Sequence, residues 1–168
     1  HSPRITDGSM MPADIAVDWG VGDWSGLDAF PLLRIVYAPV LSPALAARLG
    51  PLDTPGDLAK APIIHQHDRG EWLEWLRVAG CPDLRLKEHA TIIDSNVVLQ
   101  AVLDGQGAAL GIFPFWQPFV DAGQLVRPFE IELSPTRSFH VLTRHGARKT
   151  REIDEICRWL EREAASEG

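Results

Sequence analysis

The sequence predicts an α/β fold, a mostly parallel sheet with helices on both faces. Three observations carry this. Apolar, β-branched runs alternate with stretches of helical periodicity along most of the chain. The run "HATIIDSNVVLQAVLDGQGAALGIFP" reads as strand, helix and strand, with capping residues at its first junction and glycines at its second. The stretch "TREIDEICRWLEREAASEG" sets Ile153, Ile156, Cys157 and Leu160 on one helical face. Such alternation is what parallel strands with helical crossovers produce.

In order, "ADIAVDWGVG" (13–22) is a short buried strand ending in a glycine-rich turn, and "DWSGL" continues the loop. "LLRIVYAPVLS" (32–42) is strand-forming, but Pro39 has no amide hydrogen and so predicts an edge or a bend. "SPALAARLG" carries Ser at the N-cap, Pro at the first helical position and Gly just past the end. "TPGDLAKAP" is a second short helix and "IIHQHD" a strand. In "EWLEWLRVAG", Trp72, Trp75, Leu76 and Ala79 share one face before a Gly stop.

"DLRLKEHATIID" is extended. "SNVVLQAVLDG" is helical with Val98, Ala101 and Val102 inward, and "AALGIFP" is a short buried strand. "PFWQPFVDAG" is helical with Pro118 weakening its middle. "QLVRPFEIEL" and "SFHVLTRH" are two further strands before the terminal helix. There is no repeat and no loose linker, so two lobes, if present, are joined by strands.

The 168 residues are 45% hydrophobic and 23% charged, a globular composition. A net charge of -7 argues against holding nucleic acid by phosphate neutralisation. No apolar run approaches the ~20 residues of a membrane helix, and no membrane role is expected. The opening "HSPRITDGSMMPAD" lacks the apolar centre of a secretory signal and does not begin with Met, as expected of a piece of something longer. Cys81 and Cys157 form no C-x-x-C, so reduced thiols in the cytoplasm are the expectation.

The strings "ADIAVDWGVGDWSGL", "PVLSPALAARLG", "TPGDLAKAPIIH", "EWLEWLRVAG", "IIDSNVVLQAVLDGQGAALG", "AGQLVRPF" and "WLERE", taken in order, resemble the effector-binding domain of LysR-type transcriptional regulators. Within that family they are most similar to the branch of the glycine-cleavage and β-lactamase regulators. The resemblance implies two Rossmann-like lobes joined by two crossover strands, similar to periplasmic binding proteins. It sets one lobe at 1–33 and 127–168, the other at 34–126, and the first strand and helix of the domain outside the chain. It also implies a small, anionic effector held between the lobes, a homodimer or tetramer, and contact with promoter DNA only through an N-terminal winged helix-turn-helix that this chain does not contain. One departure is Asp18 in "AVDWG", where this branch usually carries Arg, a reversal of charge near the expected ligand.

Ser95 is the leading candidate contact, with Asn96 beside it. It sits where a strand feeds a helix N-terminus, the edge at which open α/β sheets bind ligands. Free N–H groups and the helix dipole there favour an anion. The plainer alternative is that Asp94 or Ser95 merely caps the helix, and the resemblance adds ligand contact to that. His65 and Gln66 occupy the matching strand end one βα unit earlier; strand-end polarity is the alternative, and the stronger reading for His67. By resemblance, Trp19 and Gly20 line the ligand site from the other lobe, Ile112 forms part of its floor and His140 touches the effector. For Trp19 the alternative is core packing, and for His140 a solvent-facing strand position.

No G-x-S-x-G elbow, P-loop or G-x-G-x-x-G after a strand is present. His65 and His67 at i, i+2 lack a third ligand at useful spacing, so no metal is expected. No cofactor is expected either. A sensor domain without catalysis is therefore the reading, ahead of a periplasmic solute-binding protein and of a small α/β enzyme using Ser95 or His140.

Overall fold

The computed structural model of the chain describes residues 13–66 and 68–166. His67, weighed above as a strand-end polar residue, lies outside them, as do the first twelve residues. The described strands are β1 (Ile15–Gly20), β2 (Leu27–Leu33), β3 (Val36–Val40), β4 (Pro62–Gln66), β5 (Lys87–Ile92), β6 (Ala109–Phe113) and β7 (Ser138–Arg144). The helices are α1 (Pro43–Leu49), α2 (Gly70–Val78), α3 (Ser95–Leu103), α4 (Gln117–Asp121) and α5 (Arg151–Ser166), with 3-10 turns at Pro55–Lys60 and Ala147–Lys149.

The chain forms two units, Val36–Ser134 and the remainder on either side of it. The outer unit is built on a sheet of order β1-β7-β2, with both outer strands antiparallel to β7. β1 and β2 therefore run parallel to each other with β7 between them. Gly20 pairs with Ser138 at one end of β7, and Leu27 pairs with Arg144 at the other. The six residues 21–26 must thus cross a face of β7. Trp24 anchors that crossing, packing on Leu142 with Ala16, Leu27 and Ala29. On the other side of the sheet Arg148 lies over the Phe30 ring at 4.5 Å and pairs with Asp154 and Glu161 of α5 at 3.3 and 2.9 Å.

The stripe expected on α5 is rotated. Cys157 is fully buried, while Ile156 is 48% exposed; Ile153, Leu160 and Ala164 flank the buried thiol instead. Steps of four, three and four residues track a helix face, and the adjacent pair 156–157 cannot both point inward.

In the inner unit β3 and β6 pair antiparallel, β4 and β5 pair parallel, and the bridge Ile63–Ala108 joins β4 to the start of β6. Gly107 permits that join, because a Cβ there would stand 2.8 Å from the Pro62 carbonyl oxygen. Val98, Ala101 and Val102 of α3 pack with Ala38, Val40, Ile64, Phe113, Trp116 and Leu125. Burying each larger aliphatic group contributes roughly 1.5–3 kcal/mol. The mostly parallel sheet expected from the alternation of elements is not found. Among the described residues only the β4–β5 pair and its bridge to Ala108 are parallel neighbours; β3 pairs antiparallel with β6, and β7 antiparallel with both β1 and β2.

Pro39 shows why one expected strand is absent. Tyr37 exchanges backbone hydrogen bonds with Leu133, both 2.8 Å, and Leu41 with Val126, 3.1 and 2.8 Å. Pro39 lies between them on the same edge of β3 and has no hydrogen to donate. The segment 127–132 bows away there, so "QLVRPFEIEL" makes two bridges rather than a strand. Those bridges also hold residues up to 134 on the inner unit, so the chain passes between units after Ile35 and Ser134, compared with borders at 33/34 and 126/127 in the sequence reading. α4 begins late enough that Pro118 sits in its first turn, where no amide hydrogen is needed.

The bowed segment is tied down from outside β3 as well. Trp75 is fully buried, and its indole N–H donates to the Ile131 carbonyl at 3.1 Å. Trp75→Phe keeps most of the apolar bulk but orphans that carbonyl. It is expected to cost about 1 kcal/mol in urea denaturation, with faster amide exchange at Leu133, while Trp75→Ala costs about 3–5 kcal/mol.

Candidate functional site

α3 starts just past the end of the parallel strand β5, three residues after Ile92. Asp94 is the N-cap: its carboxylate accepts from the N–H of Asn96 at 2.8 Å and of Val97 at 3.4 Å. Ser95 is the first helical residue, half-buried, and Asn96 is exposed. The cap and the candidate contact are therefore different residues. Asp94 already occupies two of the amide hydrogens that an anion would seek, and its own negative charge lies at the positive end of the helix. The Ser95 hydroxyl is left to offer both a donor and an acceptor.

His65 lies on β4 opposite Thr91 of β5, and Gln66 opposite Ile92, so these polar groups share the strand-end edge that precedes α3. His65 is only 3% exposed, and neither ring nitrogen has a hydrogen-bond partner. Burial pushes its imidazole below the ordinary value of 6.5; Glu88 opposes that shift, Arg69 adds to it, and Asp68 opposes it. Arg69 and Glu88 are themselves an ion pair, so their effects on the ring largely cancel and burial decides. A buried, neutral imidazole with two unused nitrogens is costly unless something hydrogen-bonds to it. Ile112, on β6 opposite Tyr37, packs against the α3-side core.

Trp19, Gly20 and His140 belong to the outer unit, where strand alternation separates them. Trp19 faces Phe139, its cross-strand partner, with ring centroids 4.9 Å apart. Gly20 and His140 belong to the opposite face, with Trp24. The His140 ring meets Trp24 edge-on at 5.2 Å, and a Cβ on Gly20 would stand 2.6 Å from the Trp24 ring. His140 is buried rather than solvent-facing. Its Nδ1–H donates to the Ser138 carbonyl at 3.0 Å, which leaves Nε2 as the ring nitrogen without that bond. Gly22, at φ +93°, passes close to that nitrogen: a Cβ there would lie 3.1 Å from Nε2.

The sequence alone marks Asp18 only as a reversed charge and places Trp24 in a loop. The structure places Asp18 directly opposite His140 on the same face as Trp24. Period-two spacing of Asp18 and Gly20 was the available signal; the partner strand that completes the group lies more than a hundred residues away. Among the described residues no cluster of three or more His, Cys, Asp or Glu side chains is arranged to hold a metal ion.

Comparison with known proteins gives a consistent answer. Residues 4–165 match the model of the LysR substrate binding domain. The glycine cleavage system transcriptional activator of Escherichia coli K12 is 32% identical over 154 residues, 92% of this chain and 50% of that protein. The transcriptional activator AmpR of Rhodobacter capsulatus is 30% identical over 155 residues, 90% of this chain and 51% of that protein. The crystallographic effector domain of AmpR from Pseudomonas aeruginosa superposes with a TM-score of 0.75 at 27% identity, covering 92% of this chain and 73% of that one. The chain thus spans about half the length of the curated relatives it matches. It belongs to the LysR substrate binding domain family, and its fold class is the α/β class of those effector domains. The family is that of a substrate binding domain, and these relatives are named as transcriptional activators rather than enzymes.

Two outcomes follow from the geometry. Asp94→Ala is expected to destabilise the fold by about 1 kcal/mol in urea denaturation, while Ser95→Ala leaves the midpoint unchanged. For His65, the unfolded chain binds the proton more readily than the fold does. Its contribution is therefore complete above its ordinary value of 6.5 and declines as pH falls below that. Melting curves of His65→Gln are expected to fall less steeply than wild type between neutral pH and the acid side of that value.

Proposed function

We propose that this LysR-family domain senses a small molecule through the strand-end edge formed by His65, Gln66, Ser95 and Asn96, and that ligand binding there controls DNA binding by another part of the regulator. The observation that carries the reading is His65: a buried imidazole with both nitrogens unpaired, on the edge that leads into α3. A ligand donating to one nitrogen or accepting from the other would recover the hydrogen bonds that burial removed. Of the anionic effector expected from the sequence, the geometry supports the hydrogen bonds more than the charge, because Asp94 already caps α3. Its polar group would share the site with that carboxylate, through the Ser95 hydroxyl and the neutral His65 ring.

The route from ligand to promoter is a population shift, in which a conformer that binds ligand better is also one that holds DNA differently. The acidic balance of this chain, -7, supports a reading in which the phosphate-binding charge belongs to a separate DNA-binding part. Assembly as a homodimer or tetramer, and action in the cytoplasm where promoters are, complete the reading. No helix among the described residues is long and apolar enough to cross a membrane.

The test is a melting screen of the intact gene product against amino acids, aromatic carboxylates and cell-wall fragments, with Ser95→Ala and His65→Gln in parallel. A ligand at 100 times its Kd is expected to stabilise by about 2.7 kcal/mol. A hit that both substitutions weaken supports the site. A hit that survives both moves the ligand elsewhere, and the absence of any hit overturns the sensor reading.

A further inference from the structure

Asp18 presents a problem that neither the fold nor the strand-end edge resolves. Its Oδ1 accepts the Trp19 N–H at 2.8 Å. Its Oδ2 is shielded from solvent and has no hydrogen-bond partner. A carboxylate oxygen out of water without a donor is among the costlier groups a protein can hold, and such groups point to an absent ion, water or ligand. Directly across the β1–β7 ladder stands His140, where side chains on one face are ~5 Å apart at Cβ. Its Nδ1–H is committed to the Ser138 carbonyl, so Nε2 is the ring nitrogen left to meet other groups. The neighbouring imidazole does not satisfy the carboxylate, whose Oδ2 stays without a donor.

The surroundings select the kind of donor. Trp24 meets His140 edge-on and closes over Gly20, the next residue on the Asp18 face. Ala16, Ala29 and Leu142 continue that face as apolar surface. An unpartnered carboxylate oxygen beside an imidazole and an indole in an apolar frame suits a primary ammonium, which carries three N–H donors and a charge attracted to aromatic rings. A metal ion is not served as well, since no third ligand side chain joins the pair among the described residues.

We propose that Asp18, His140 and Trp24 form a binding site for an organic primary ammonium group, and that this site gives the regulator its preference for amine-bearing effectors. The inference rests on the sensor reading only for its biological purpose; the site itself lies within the outer unit and is tested separately.

The intact gene product, labelled with 13C at the aspartate carboxyl, is titrated with methylammonium, tetramethylammonium and acetate while the Asp18 Cγ resonance is followed by NMR. Methylammonium is expected to move that resonance saturably. Tetramethylammonium, with the charge but no N–H, is expected to bind about tenfold more weakly or worse, and acetate to leave the signal in place. Asp18→Asn, nearly isosteric, is expected to weaken methylammonium binding about tenfold, read from the melting shift. A stationary Asp18 signal, an equal response to both cations, or an unchanged affinity in Asp18→Asn would overturn the proposal. Should the Asn variant fail to fold, the wild-type titration decides alone, with Asp18→Glu assigning the resonance. An amine response without any hit in the broader screen would uphold this site and overturn the sensor reading. A hit sensitive to Ser95→Ala with no amine response would do the reverse.

Discussion

The pairing of β7 between β1 and β2 is the interaction on which the rest of the molecule depends. Neither outer strand has the other as a neighbour, so the outer unit has no sheet until residues 138–144 arrive. The inner unit therefore exists as an insertion between β2 and β7. The same arrangement forces residues 21–26 across the sheet, carries Trp24 onto the His140 face and leaves the other face to α5 through Arg148. Packing, crossover and candidate chemistry all follow from one strand lying where it does.

In the inner unit the comparable constraint is polar. A parallel strand pair delivers its C-terminal ends to one edge, and the next helix begins there. The chain resolves the helix end internally with Asp94, yet leaves His65 buried and unpaired a strand away. Stability alone would favour an apolar side chain at His65. Keeping an imidazole there is intelligible as a cost accepted for binding.

Local features were legible in the sequence to the extent that they were local. The helix at Ser95–Leu103, its inward Val98, Ala101 and Val102, and the Ser42 cap with Pro43 behind it follow from spacing and side-chain chemistry alone. Strand direction was not legible, because alternation of elements does not say which strand pairs with which. Residues 127–132 look like a strand by composition, and only the missing hydrogen of Pro39, far along the chain, explains why they bow outward. On α5, Ile156 is the more hydrophobic neighbour, but the helix turns Cys157 inward, since the stripe is set by the sheet it meets. At the candidate site, Trp19 and His140 were expected to serve one ligand. The two-residue period puts them on opposite faces of one sheet, which required the β1–β7 register to see. The family resemblance supplied the architecture that periodicity could not.

The insertion of the inner unit into the outer one has a bearing on synthesis. A ribosome releases β1 and β2 before the whole of Val36–Ser134, and β7 only after it. The inner unit can close on its own contacts as it emerges, whereas the outer strands must wait for a partner more than a hundred residues downstream. Until then Ala16, Ala29 and Trp24 have no Leu142 to cover them. The β1–β2 segment consequently gains from chaperone shelter while translation runs, and a pause or cleavage before residue 138 would strand it without its partner strand.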